Sequence, residues 1–183
     1  MRNKIKNNSG FTLLEMIIYV SLFAVILFII VRLFWQVQLS DVRGRTMHEA
    51  QENSAQVMDI FEYFIRKADD IDTGSSVFGV HPAVLSIQGA SSVLIDTYVK
   101  NITVGAESYP IRKLRLTEGA LASVDLTSDH VDVTDFELTN LTQGSESDVI
   151  LINLTLSSIN PSSDDYYNYS FTVRTAVGVR QDS

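Results

Sequence analysis

The sequence predicts an α+β fold: a long N-terminal helix, membrane-spanning in its first half and amphipathic in its second, packs on a C-terminal antiparallel β-sheet. Three observations predict it. From Phe11 to Trp35 the only charged residues are Glu15 and Arg32. No proline occurs before Pro82, and the one glycine between Phe11 and Lys67 is Gly44. From Val77 onward the apolar residues change from helical spacing to alternation, the mark of half-buried strands.

The chain opens on a basic leader, residues 1–10, with Arg2, Lys4 and Lys6 and a terminal Gly10. Residues 11–35 follow as an apolar helix, and at about 1.5 Å per residue they cross a hydrocarbon core of about 30 Å. Glu15 breaks the pattern. A charged side chain inside a membrane helix costs about 2.5–3.5 kcal/mol on insertion scales, so such residues have a partner or a task. A place in the first helical turn offsets part of this, by about 0.3–1 kcal/mol from the helix dipole.

Residues 36–70 continue the same helix, giving a rod of about 57 residues and roughly 85 Å to Lys67. Gly44 weakens it by about 1 kcal/mol relative to alanine. Here the helix turns amphipathic. Val57, Ile60, Phe61, Phe64, Ile65 and Ala68 fall on one stripe, with Asp59, Glu62, Arg66 and Lys67 on other faces, so the stripe should pack on a sheet. The helix should end in the acid cluster Asp69, Asp70 and Asp72, which opposes the negative end of the dipole, with Gly74 as the stop. A calcium loop counted from Asp70 needs glycine sixth and glutamate twelfth, but Ser75 and His81 stand there. An irregular calcium site is the one cofactor the acids leave open.

Residues 71–183 form the β-rich domain, within the size range of a single domain. Strands are expected at Val84–Gln88, Ser92–Val99, Lys113–Thr117, Ala122–Leu126, His130–Leu138, Asp148–Leu156 and Tyr169–Ala176. Val149, Ile150, Leu151 and Ile152 are apolar on both faces, so their strand should be central, covered by the helix on one side and by loops or another layer on the other. In the last strand Tyr169, Phe171 and Val173 alternate with polar neighbours, as in a half-solvated strand. Val131 and Val133 stand out of phase with Phe136 and Leu138, which predicts a β-bulge at Thr134–Asp135. Residues 140–147, with Gly144, should form a hairpin turn, and residues 157–165, with Pro161, the last long loop.

Composition narrows the function. With 14 Lys and Arg against 22 Asp and Glu the formal charge is −8; without Arg2, Lys4 and Lys6 the side chains sum to −11. Nucleic acid binding, which draws its affinity from phosphate neutralisation, is not expected of so acidic a chain. There is no cysteine, so an exported domain must rely on packing alone. Catalysis finds no support. His48, His81 and His130 lack metal-ligand spacing, and no nucleophile elbow or phosphate-binding glycine loop occurs. The acids Asp164 and Asp165 sit in a Ser- and Asn-rich loop as solvated charges. Sequons at Asn101, Asn140, Asn153 and Asn168 fall mostly on strands or their flanks.

Three readings of the N-terminus compete. A cleaved secretory signal wants a shorter apolar core and a small-residue cleavage site, whereas Arg32, Leu33, Phe34, Trp35 and Gln36 follow the run. An uncleaved anchor, carrying an extracytoplasmic adhesion or sensor domain, explains the hydropathy but not Gly10, Phe11 and Glu15 together. The third reading follows from those residues. Basic residues, then Gly10, then Phe11-Thr12-Leu13-Leu14-Glu15 and an unbroken apolar helix resemble the class III signal of type IV pilins and type II secretion pseudopilins. The resemblance implies cleavage after Gly10 by a prepilin peptidase and N-methylation of Phe11. It also implies a role for Glu15 in assembly, pairing with the N-terminal amine of a neighbouring subunit. A buried ion pair of this kind sets register more than it adds strength.

Partners implied are the peptidase, other pilin or pseudopilin subunits met through the helix, and an inner-membrane assembly platform. No cofactor and no enzymatic activity are implied. The layout of one helix and then six or seven strands is similar to the larger minor pseudopilins of the J type and to PilW-like minor pilins. Missing cysteines separate it from many major pilins, and the presence of Glu15 from the K-type tip subunit. Lys and Arg do not orient the helix, because Arg2, Lys4 and Lys6 on one side face Arg32, Arg43 and Arg45 on the other. A ten-residue leader before the helix and a β-rich domain behind it favour an N-terminus in the cytoplasm, as the resemblance also implies.

Overall fold

The computed structural model describes residues 12–142, 148–160 and 168–180. Among these residues one helix, α1 (Leu13–Arg66), is followed by β1 (Asp70–Ile71), β2 (Leu85–Gln88), β3 (Val93–Val104), β4 (Glu107–Glu118), β5 (Val124–Asp125), β6 (Val131–Asn140), β7 (Val149–Ser158) and β8 (Ser170–Gly178). The chain divides into two compact units, Met1–Asp41 and Val42–Ser183. The first is helical over its described length apart from Thr12.

In the second unit the strands form two antiparallel sheets, β1-β2-β3-β4-β5 and β6-β7-β8. One core joins them. Val57, Phe61 and Ile65 of the helix meet Leu85, Ile95 and Leu114 of the first sheet and Phe136, Ile152 and Leu154 of the second, all fully buried. The predicted stripe is therefore the packing face, with Ile60 and Phe64 half-buried at its margin. Two polar residues, Asn53 and Ser54, are buried at its N-terminal end. Asn53 is buried, and its amide is satisfied by donating to Glu49 O (2.8 Å) and accepting from Ser128 N–H (2.8 Å), which ties the helix to the loop before β6.

The helix ends just before the acid cluster, and Asp69 and Asp70 stay exposed, as expected of solvated acids. The backbone there also enters the sheet, which the sequence did not suggest: Asp69 N–H donates to Gln88 O (2.9 Å), Asp70 and Ile71 pair with Gln88 and Ile87, and Ile71 is buried. Gly74 lies beyond, in a turn where Asp72 Oδ1 accepts from Gly74 N–H and Ser75 N–H (3.1 Å each). Hydrogen bonding from the Ser75 side chain, and then from its N–H, holds the Asp72 carboxyl below the usual carboxylate range.

The β3–β4 hairpin runs far past the predicted segments, to a two-residue turn at Gly105–Ala106. Gly105 has φ +67°, as glycine at the first central position of a two-residue hairpin turn often does. Pro110, which offers no donor, is tolerated because β5 pairs only with Arg115 and Leu116, leaving that part of β4 an edge. The bulge in β6 lies where the phase slip placed it, between Val133 and Asp135. β7 is central, as expected, with Ile150, Ile152, Leu154 and Leu156 buried. Its other face is not covered by a second layer among the described residues: Val149 and Leu151 stay half-buried. β8 shows the half-solvated alternation. Residues 143–147 of the β6–β7 turn, and residues 161–165 of the last loop, lie outside the described residues.

The two sheets are laced together by a strap before β2. Gly79 N–H donates to Leu138 O (2.8 Å), Ala83 N–H to Phe136 O (2.9 Å), and Phe136 N–H to His81 Nδ1 (2.8 Å). From β4, Arg112 N–H donates to Asp132 Oδ1 (2.6 Å). His81 thus serves as an acceptor that a strand would otherwise supply. Replacing it by alanine strands the Phe136 amide. His81→Ala is expected to lower stability by about 1–2 kcal/mol, read as a shift of the urea midpoint without a change in slope.

Candidate functional site

The helix start is built by Thr12 and Glu15. Thr12 stands just outside α1, its carbonyl accepting from Met16 N–H (3.2 Å) and its Oγ1 from Glu15 N–H (3.2 Å). This is an N-cap with an acid at the third helical position, the T-x-x-E arrangement that satisfies free amides at a helix end. One turn further on, Tyr19 O–H donates to Glu15 Oε1 (3.3 Å). Ser21 returns its hydroxyl to Ile18 O (2.9 Å), so its polar group is hidden on the helix itself.

Around this start the helix is apolar and uncovered. From Thr12 to Gln38 every residue is exposed except Glu15, which is half-buried; Leu13 is 80% and Phe23 66% exposed. An 18-residue window of α1 is long and apolar enough to cross a membrane, and none of it is buried. In water such a surface is unfavourable by roughly 25 cal/mol per Å², so it calls for lipid or for other apolar helices. The sequence-derived residues Arg2, Lys4, Lys6, Gly10 and Phe11 lie outside the described residues; Glu15 is placed in the first turn.

Two residues of this site go beyond the sequence reading. Thr12 carried a capping-box signal in T-x-x-E, and Tyr19 a spacing of four from the acid, which puts both on one helix face.

Elsewhere among the described residues, lysines and acids gather beside the first sheet. Lys113, only 3% exposed at its side chain, reaches Asp129 (2.5 Å) and Asp125 (3.0 Å), while Lys100 holds Asp129 (2.9 Å) and Tyr98 O–H donates to Asp125 (2.7 Å). Lys113 and Lys100, bonded to it in that order of effect, lower the Asp129 carboxyl from 3.8 to about 2. Every member is paired, so the cluster ties the loop after β5 onto the first sheet. An open groove of about 750 Å³ runs beside it, lined by Thr46, Glu49, Lys100, Ile102, His130 and Ile159 among others. Its acids are engaged: Glu49 accepts from Ser128 (3.3 Å) and Asp129 holds two lysines. Among the described residues no three His, Cys, Asp or Glu side chains gather as a metal site. The three histidines do not converge. His81 joins the sheets, His130 borders the groove and His48 lies on α1.

Comparison with known proteins bears on the N-terminus. Residues 5–31 match the family model of the prokaryotic N-terminal methylation motif. The chain carries a prepilin-type methylation motif. The matched residues take in Gly10, Phe11, Thr12, Glu15 and Tyr19 and end one residue before Arg32, so the motif covers the capped helix start and the apolar run behind it. No curated protein and no solved structure matches the chain.

Proposed function

We propose that this chain is a minor pilin or pseudopilin, a non-enzymatic subunit of a type IV pilus or type II secretion-like filament. A prepilin peptidase removes residues 1–10 after Gly10 and methylates Phe11. Residues 11–35 hold the subunit in the cytoplasmic membrane with its N-terminus inside, residues 36–70 carry the helix to the sheets, and residues 71–183 face the extracytoplasmic side. On assembly, guided by an inner-membrane platform, the helix leaves lipid for a bundle of like helices, and Glu15 meets the amine of a neighbour's Phe11.

The observation that carries this reading is the overlap of the methylation motif with a carboxylate in the first turn of an uncovered apolar helix. Lipid explains the apolar surface, whereas the acid needs a partner. Minor status is favoured by the missing cysteines and by the layout of one long helix followed by a many-stranded domain. The capped start at Thr12 also fits an uncleaved anchor, because a capping box needs no processing.

N-terminal sequencing and mass of the membrane-extracted chain separate the two. The expected start is Phe11 bearing one methyl group, and Gly10→Val should abolish cleavage and leave a slower band on a gel. Recovery of Met1, or unchanged mobility of Gly10→Val, would overturn the filament reading.

A further inference from the structure

We propose that Tyr19 is a positioning residue for Glu15. Its hydroxyl holds one carboxylate oxygen, Oε1, while the chain waits in the membrane, and so aims the other at the amine of a neighbouring subunit. The inference rests on the assembly role given to Glu15 above.

Three observations carry it. First, Tyr19 O–H lies 3.3 Å from Glu15 Oε1 and is the donor to that carboxylate among the described residues. Side chains on a helix lean toward its N-terminus, so residue 19 covers the turn that holds residue 15. Second, Glu15 is the one residue between Thr12 and Gln38 that is half-buried rather than exposed. Third, the other aromatic residues of the segment are Phe11, Phe23, Phe28, Phe34 and Trp35, none of which carries a hydroxyl. An apolar surface gains nothing from a phenol, and the hydroxyl appears only one turn from the acid.

The physical need is clear. A carboxylate in a medium without water must be hydrogen-bonded or neutralised. A donor on the same helix supplies this in the lone subunit, before any neighbour is present. It also restricts the rotamers of a flexible side chain, and a group held in its productive geometry loses less entropy when its partner arrives.

The test uses the full chain. Tyr19→Phe keeps the ring and removes the hydroxyl, so a role in packing or as an interfacial aromatic survives it. The fraction of chain recovered in sheared filaments should fall about tenfold, as for loss of a hydrogen bond to a charged group, with cleavage at Gly10 unchanged. As a readout independent of assembly, Tyr19 carrying a ring fluorine is followed by NMR in phosphatidylethanolamine–phosphatidylglycerol vesicles. Its resonance should move on Glu15→Ala and stay put on Glu52→Ala. A chain that starts at Phe11 but whose fluorine signal ignores Glu15→Ala, or whose Tyr19→Phe variant assembles normally, overturns the positioning role alone. A chain that starts at Met1 overturns the filament reading, and the neighbour's amine with it.

Discussion

Phe61→Ala is expected to lower the stability of the second unit by about 3–5 kcal/mol, the cost of removing a large buried aromatic side chain whose cavity does not collapse. Phe61 is fully buried, and its ring lies 5.7 Å from that of Phe136, centroid to centroid and tilted by 38°. The pair links the helix to the second sheet immediately after the bulge. Removing Phe61 therefore loosens both layers at one point. Urea unfolding of the full chain in detergent micelles, followed by tyrosine fluorescence, checks the value. The double variant with Phe136→Ala should cost less than the two single losses together, because both delete the same contact. Additive losses would show that the rings act independently.

Lys113→Met should be the next most damaging change, at about 2 kcal/mol. That is less than the ~3–5 kcal/mol for stranding a fully buried charge, because water reaches Asp125 (34% exposed) and Asp129 (50% exposed). The pH dependence gives a sharper signature. Asp129 has its carboxyl lowered from 3.8 to about 2. Its folded value lies below its unfolded one, so its contribution is complete above 3.8 and is lost as pH falls toward 2. Without Lys113 the folded value moves back up, and the acid limb of the stability curve across that window should flatten. An unchanged acid limb would mean that Lys100 alone sets the state of Asp129.

Much of this fold was legible because its signals are local. A stripe at helical spacing needs only the chain's own period to be seen, and Val57, Phe61 and Ile65 lie where it put them. The bulge was legible for the same reason, as a slip in alternation between Val133 and Phe136. Pairing between distant segments left no such trace. The division into two sheets depends on which strands meet. The Asp70–Ile71 strand exists only because β2 lies beside it, and the outer half of the β3–β4 hairpin is hidden by Lys100, Asn101, Gly105, Pro110 and Arg112, which carry no alternation.

At the candidate site the contrast is similar. Glu15 stands out because it violates the composition around it, whereas Tyr19 passes for one more aromatic residue in an apolar helix until its hydroxyl is placed. Lys113 is the reverse case. Lysine is seldom buried without a partner, and its acids come from β5 and the loop after it, 12 and 16 residues further on.

The bulge in β6 has a consequence for how this domain can change length. Val133 pairs with Leu156 and Asp135 with Thr155, so Thr134 is the residue without a place in the ladder. Without it, Val131, Val133, Phe136 and Leu138 would alternate perfectly with Asp132, Asp135 and Glu137, and the same four side chains would still face the core. Loss of one residue elsewhere in such a strand turns its apolar side to solvent. Thr134 is thus a position where the gene can lose a codon and keep the hydrophobic interior. What would be given up is the kink that lets Asp135 Oδ2 accept from the Asn153 side-chain amide (3.2 Å), so the strand would keep its core and lose part of its side-chain fastening to β7.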